Sequence, residues 1–168
     1  LGVPILMSRE TKHEESSYMS LKDAVDSLLL TQYRDGSATS QAVVTELLEA
    51  IREKNLSSAL LSTAVKNEYQ IESEETEEEL DEHTLTSSFG DLITDFGRRQ
   101  GTTVWYVDEL QWADSESQES IFELATRCTG SNVILIVTML RDEDSFKVLE
   151  RLKECAPGLQ QISLQPLN

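Results

Sequence analysis

Asp108 and Glu109 are adjacent carboxylates at the end of the run Thr103-Val104-Trp105-Tyr106-Val107. The aromatic and β-branched residues of that run favour an extended strand. In α/β sheets, ligands sit beyond the carboxyl ends of parallel strands. Two neighbouring acids there can divide a hydrolytic task. Asp108 would hold Mg²⁺ through water, because Mg²⁺ keeps much of its hydration shell. Glu109 would polarise the water that attacks a phosphate. The same residues also read as a strand ending in two solvated acids, so the pair alone leaves both readings open.

Arg141 follows a second apolar run, Val133-Ile134-Leu135-Ile136-Val137. If both strands run parallel, Arg141 lies at the same sheet edge as the acids. A guanidinium there can contact a γ-phosphate. The plain alternative is an exposed arginine beside Asp142, Glu143 and Asp144. Trp112 and Asp114 fall in the turn after the acids. Trp112 is expected to pack under that loop, and Asp114 to cap the next helix. His13 and His83 stand in polar stretches and read as surface residues.

The elements that must position these residues are legible from periodicity. Val3 to Ser8 read as a short strand. Ser20, with Asp23 three residues on, has a capping-box arrangement, and Leu21, Val25, Leu28 and Leu29 form one helical face. Asp35-Gly36 breaks that helix. Ser40 is expected to open a second, with Val43, Val44, Leu47, Leu48 and Ile51 inward. Leu56 to Tyr69 read as a third. Helical spacing resumes at Leu85, Phe89, Leu92, Ile93 and Phe96, with Gly97 and Gly101 flanking its end. Ser115 and Gln118 mark another capping box, followed by Ile121, Phe122, Leu124, Ala125 and Cys128. The run Asn132–Leu140 lacks polar alternation, which predicts a strand buried on both faces, as in a parallel sheet. A helix carrying Phe146, Leu149 and Leu152 comes next, then a turn at Pro157-Gly158 and a last strand at Gln161–Leu164. Strands alternating with helices predict a doubly wound α/β domain with a helical insertion at about 18–99.

Composition narrows the partners. The chain has 168 residues and a formal net charge of -17. Such a chain repels nucleic-acid backbones and anionic membranes. Much of the charge lies in the tract from Glu72 to Glu82, which reads as a solvated loop. No apolar run approaches the ~18 residues that cross a bilayer. The two cysteines, Cys128 and Cys155, read as buried free thiols, which suits a reducing cytoplasm.

The stretch Val104–Ser117, VWYVDELQWADSES, resembles the Walker B segment of the AAA-type, STAND-related P-loop ATPase domains of multidomain signalling proteins. Asp108 to Asp114 match the pattern of two acids, an apolar residue, Gln or His, and Trp-Ala-Asp. Thr138–Glu143 resembles the sensor strand of that family, with Arg141 as the sensor arginine. Ile162–Leu167 is similar to the exit before its helical lid, and Ser17–Asp23 to the stretch opening its helical insertion. The resemblance implies a partial ATPase domain over 1–168, with Walker B and sensor strands at about 102–141 and a last strand at about 161–165. It implies ATP and Mg²⁺ as cofactors, and a kinase, cyclase or regulator domain as partner, with oligomerisation open. Asp108 would serve cofactor and metal, while Glu109 and Arg141 would be catalytic.

Glu109 departs from the family's frequent Asp but keeps a carboxylate, and Ser20 stands where proline is frequent. The larger departure is the P-loop, G-x-x-x-x-G-K followed by Ser or Thr, whose amides and lysine cradle the phosphates. No lysine here follows a glycine, and none precedes Ser or Thr. The expectation is therefore a fold whose first strand and P-loop are absent, with ATP bound poorly or not at all by this chain alone. The strand Asn132–Leu140 would then present an unpaired apolar edge and make the chain prone to aggregate. A degenerate interaction module that kept the fold without nucleotide is the alternative.

Overall fold

Three apolar runs pair as a parallel sheet in the order β1-β2-β3: β1 Ile5–Arg9, β2 Thr103–Asp108 and β3 Val133–Val137. The computed structural model describes residues 3–9, 18–54, 56, 60–71 and 82–165. The chain is α/β. Helices α1 Met19–Asp35, α2 Ala38–Glu53, α3 Thr63–Glu68 and α4 Glu82–Gln100 lie between β1 and β2. A 3-10 turn, Leu110–Trp112, and α5 Ser115–Cys128 join β2 to β3, and α6 Glu143–Cys155 follows β3. The register aligns Leu6 with Trp105 and Trp105 with Leu135.

Both connections step across the sheet in the same direction. Right-handed crossovers then put their helices on one face. Alternate strand residues Leu6, Ser8, Trp105, Val107 and Val133 are buried on that face. The helical stripes close over them, and every apolar residue assigned inward on α1, α2 and α4 is buried. Phe89 of α4 meets Trp105 edge to face at 5.0 Å, an arrangement that adds to simple area burial. Arg127 of α5, held by Glu123 of the same helix, ties α5 to α4 through Asp91 and Ser87. Gly97 lies within α4 rather than at its flank, where a Cβ would come within 2.9 Å of Val133 Cγ2. The helix can therefore approach β3 closely only with glycine at this position.

The opposite face differs from expectation. Ile5, Met7, Ile134 and Ile136 are 50%, 53%, 50% and 44% exposed, so β3 is buried on one face only. An unbroken apolar run looks the same whether one face or both are covered. Residues 161–165 form no strand, and Ile162 and Leu164 are 82% and 89% exposed. Neither of their backbone sides has a strand to pair with among the described residues.

Smaller corrections concern helix ends and faces. The cap position of α1 is Tyr18, in the left-handed region, not Ser20. Ser37, not Ser40, caps α2 and accepts from the Ser40 amide. Within the expected third helix, Leu60 is helical, Leu61 and Ser62 are not, and Ser62 caps the separate helix Thr63–Glu68; residues 57–59 lie outside the described residues. Phe146 is exposed, and Val148 takes its place in the core beside Leu152. Both thiols are free but only half-buried. Most of the acidic tract and residues 10–17, His13 among them, lie outside the described residues, and His83 is exposed. No helix among the described residues is long and apolar enough to cross a membrane.

Candidate functional site at the carboxyl edge of the sheet

Asp108 is the last residue of the central strand, and β1 and β3 flank it in parallel. Its carboxylate is half-exposed at the sheet edge. Alternation along β2 puts Val104, Tyr106 and Asp108 on the uncovered face. The Tyr106 hydroxyl donates to Asp108 Oδ1 at 3.2 Å. Thr138, one residue beyond β3, donates its hydroxyl to the same oxygen.

Thr138 does more than this. Its Oγ1 accepts from the Glu109 amide at 3.1 Å, its own amide donates to Val107 O at 2.9 Å, and its carbonyl accepts from Leu110 at 3.2 Å. One threonine thus clamps the chain from Val107 to Leu110. Glu109 is held there at φ 59° and ψ 45°, a left-handed conformation uncommon for a residue with a long side chain. This backbone turns the chain sharply, so Glu109 departs from the line of the strand while Asp108 stays on it.

The 3-10 turn is then anchored to α5. Asp114 accepts from the Ser117 amide at 2.8 Å and from its hydroxyl at 2.6 Å, as a helix cap should. The cap of α5 is therefore Asp114, not Ser115. Asp114 also accepts from the Tyr18 amide at 3.1 Å, which links the start of α1 to this turn. Gln118 donates to Leu110 O at 3.2 Å and Ala113 O at 3.1 Å. Leu110 is buried beneath the turn and Trp112 is half-buried. Gln111 is only 8% exposed, yet neither polar atom of its amide has a hydrogen-bond partner among the described residues.

Arg141 lies four residues past the end of β3, at the same edge as the acids, and is exposed. Among the described residues it makes no hydrogen bond or ion pair, so the structure brings Asp108, Glu109 and Thr138 together but leaves Arg141 apart from them. Asp142 beside it caps α6 by accepting from the Ser145 amide at 2.8 Å. An open groove of about 630 Å³ lies elsewhere, between α4, α5 and α6, and none of these residues lines it. Its rim includes Cys155, whose thiol, like that of Cys128, is pushed up by burial above the ordinary value.

Asp108 fits a hydrated cation: it is an oriented, half-exposed carboxylate at a strand end. No cluster of three acid, histidine or cysteine side chains that could hold a metal occurs among the described residues. Such a cation would thus take most of its ligands from water or from a bound phosphate. For the phosphates of ATP the sequence offers no glycine-rich, lysine-bearing loop, so this chain alone does not fit the whole nucleotide.

No family model, curated protein or solved structure matches the chain. The likeness to ATPase domains therefore rests on the residues themselves. Thr138, Tyr106 and Gln111 escaped the sequence reading as separate functional candidates. Thr138 had one visible signal, as the first polar residue after the apolar run of the adjacent strand. Tyr106 had another, lying two residues before Asp108 and hence on the same strand face.

Proposed function

We propose that this chain is the Walker B and sensor portion of an AAA-type, STAND-related P-loop ATPase domain in a larger cytoplasmic signalling protein. One observation carries the reading. Two adjacent carboxylates end the central parallel strand and are clamped by a hydroxyl from the neighbouring strand, with the second carboxylate held in a left-handed turn. In this reading Asp108 supports Mg²⁺ through water, Glu109 orients the attacking water and Arg141 meets the γ-phosphate. Mg²⁺ supplies charge neutralisation for the transferred phosphoryl group when bound. ATP would switch the parent between states, and its kinase, cyclase or regulator domains would read the switch.

The bare sheet face supports the same reading. Parallel sheets are normally covered on both faces. A strand added at the free edge of β3 and connected through a helix to β1 would cross the sheet in the opposite direction. Right-handedness would then lay that helix on the uncovered face. Such a strand would also give Ile162 and Leu164 a neighbour. This is the position of a first strand, P-loop and first helix in a doubly wound nucleotide-binding domain.

The test begins with the coding sequence upstream of Leu1. A G-x-x-x-x-G-K loop within about 60 residues is expected. The longer protein should bind ATP-Mg²⁺ by isothermal titration, and Glu109→Gln should retain binding while abolishing hydrolysis. A longer protein that holds no ATP would sink the proposal. The second reading, a non-catalytic interaction module, is favoured by the lack of any P-loop lysine in these 168 residues. It predicts that Glu109→Gln changes nothing measurable.

A further inference from the structure

We propose that Asp114 latches the start of the helical insertion to the acid-bearing turn, so that loosening α1 loosens the turn that holds Glu109. The latch stands on hydrogen bonds and backbone geometry and does not depend on what Asp108 and Glu109 bind. Asp114 Oδ1 accepts from the Ser117 amide at 2.8 Å and from the Tyr18 amide at 3.1 Å, while Oδ2 accepts from the Ser117 hydroxyl at 2.6 Å. Capping α5 needs only the first of these, and serine or asparagine caps a helix as well as aspartate. The bond to Tyr18 is additional, and it spans 96 residues of sequence.

Tyr18 is the N-cap residue of α1 and sits at φ 60° and ψ 20°. An N-cap is ordinarily extended, and a left-handed tyrosine is unfavourable. Among the described residues, Tyr18, Gln70 and Glu109 are the non-glycine residues with positive φ. Gln70 is accounted for by its helix end. Its amide donates to Asn67 O at 3.3 Å and the Ile71 amide to Lys66 O at 2.8 Å, the Schellman pattern that closes a helix. The other two do not close a helix, and both belong to one joint. Glu109 lies in the turn that leads into Asp114, and Tyr18 is bonded to Asp114 directly. Strained backbone persists where the surrounding bonds over-determine it, and it concentrates at active sites and in segments that switch.

A contiguous set of bonds joins the two strained residues. The Tyr18 carbonyl accepts from the Lys22 amide at 3.0 Å, so residue 18 and the first turn of α1 are oriented together. On the other side, the Asp114 carbonyl accepts from the Gln118 amide at 2.9 Å, and the Gln118 side chain reaches back to Leu110 O and Ala113 O. Within the turn, the Trp112 amide donates to Glu109 O at 2.9 Å and the Ala113 amide to Leu110 O at 3.1 Å. The turn therefore moves as one block with Asp114. Releasing Tyr18 lets residue 18 return to extended backbone, frays the first turn of α1 and removes one fixed point of the block.

Amide hydrogen exchange in the 168-residue chain tests the latch from both ends. Asp114→Ser keeps a cap for α5 but shortens the side chain and leaves it one oxygen. The Ser117 amide should keep its protection, while the protection factor at Lys22 should fall about tenfold, the size expected when a hydrogen bond to a charged group is lost. Lys22→Gly approaches from the other side. Lys22 is half-exposed on α1, and glycine there weakens the first helical turn without touching Asp114. Protection of the Leu110 and Trp112 amides should then fall about threefold in the wild-type background and stay unchanged in the Asp114→Ser background, as a double-substitution cycle requires of a coupled pair. Equal responses of the turn in the two backgrounds, including no response in either, overturn the proposal. So does an Asp114→Ser chain whose Lys22 amide exchanges as in the wild type. A measurement without substitution covers variants that do not fold. In the wild type the Tyr18 amide should exchange at least about tenfold more slowly than an unstructured amide. Exchange at the unstructured rate would mean that the latch is open, and the proposal would fall.

Discussion

Thr138→Val is the most informative single change at the sheet edge. Valine keeps the β-branched shape and volume but removes the hydroxyl. Two interactions go: the acceptor for the Glu109 amide and the donor to Asp108. A neutral hydrogen bond contributes about 1 kcal/mol net, and one to a charged group about 1.5–3 kcal/mol. Both partners are half-exposed, so water replaces part of what is lost, and a total of about 2 kcal/mol is expected. For a chain of this size the melting midpoint should fall by about 4–8 °C. Hydrogen exchange localises the effect. The Glu109 amide should exchange faster, while amides in the middle of β2 keep their protection. Thr138→Ser should restore most of the midpoint and of the protection, because the hydroxyl returns. An unchanged midpoint with an unchanged Glu109 exchange rate would refute the clamp. So would an equal loss in the serine variant, which would assign the effect to packing of the methyl group.

Three further changes probe the scaffold. Gly97→Ala places a Cβ 2.9 Å from Val133 Cγ2. The overpacking cost of about 1–3 kcal/mol should exceed the ~1 kcal/mol gained in helix propensity, so urea unfolding should show a net loss. Ile136→Lys breaks the uncovered apolar face and should reduce self-association in light scattering without lowering the melting midpoint, since that side chain is already 44% exposed. The third concerns pH. Burial raises the Cys128 thiol, with a backbone hydrogen bond near Leu135 opposing it in part. Above about pH 8.5 the unfolded chain gives up a thiol proton that the folded chain retains. The unfolded state then binds fewer protons, so this contribution to stability is complete below that pH and shrinks as pH rises. Cys128→Ala should flatten the decline between about pH 8 and 10.

What could be read in the sequence follows from what is local. The stripes of α1, α2 and α4 were legible because each helix buries residues three and four apart. Asp114 was legible as a cap because it directly precedes an apolar-periodic stretch. The cap of α2 was misplaced because Ser37, Thr39 and Ser40 can all serve, and the choice falls to the backbone leaving Gly36 in the left-handed region. The clamp was hidden because it depends on register. Thr138 meets Asp108 only when Val107 aligns with Val137, across about thirty residues of chain, and no local pattern encodes that alignment. The bare face of β3 was hidden for another reason. Val133–Val137 is apolar throughout, and that composition would serve equally for one covered face or two.

The turn after β2 carries two features that a plain strand-to-helix connection would not need. Glu109 occupies a left-handed conformation that glycine or asparagine adopts more readily. Gln111 is buried with its amide unpaired among the described residues. Both are unfavourable, and both fall within the segment that bears the proposed chemistry. If the turn were only a connector, substitutions that remove these features would be neutral choices open to any sequence. Gln111→Leu is the cleaner test, because it replaces the amide with a slightly smaller apolar side chain that needs no hydrogen-bond partner. Desolvating an unpaired amide costs about 1–3 kcal/mol, so the leucine variant should be more stable by about 1–2 kcal/mol and melt several degrees higher. In the longer ATP-binding protein the same variant should lose nucleotide-dependent switching, because a polar group kept buried at a cost is a group used in another state. A variant that is less stable than the wild type would mean that the amide is paired in solution, through water, and that this turn stores no cost at position 111. A variant that is more stable and switches normally would assign the buried glutamine to no function at all. Only the combination of gained stability and lost switching ties the turn to the nucleotide cycle.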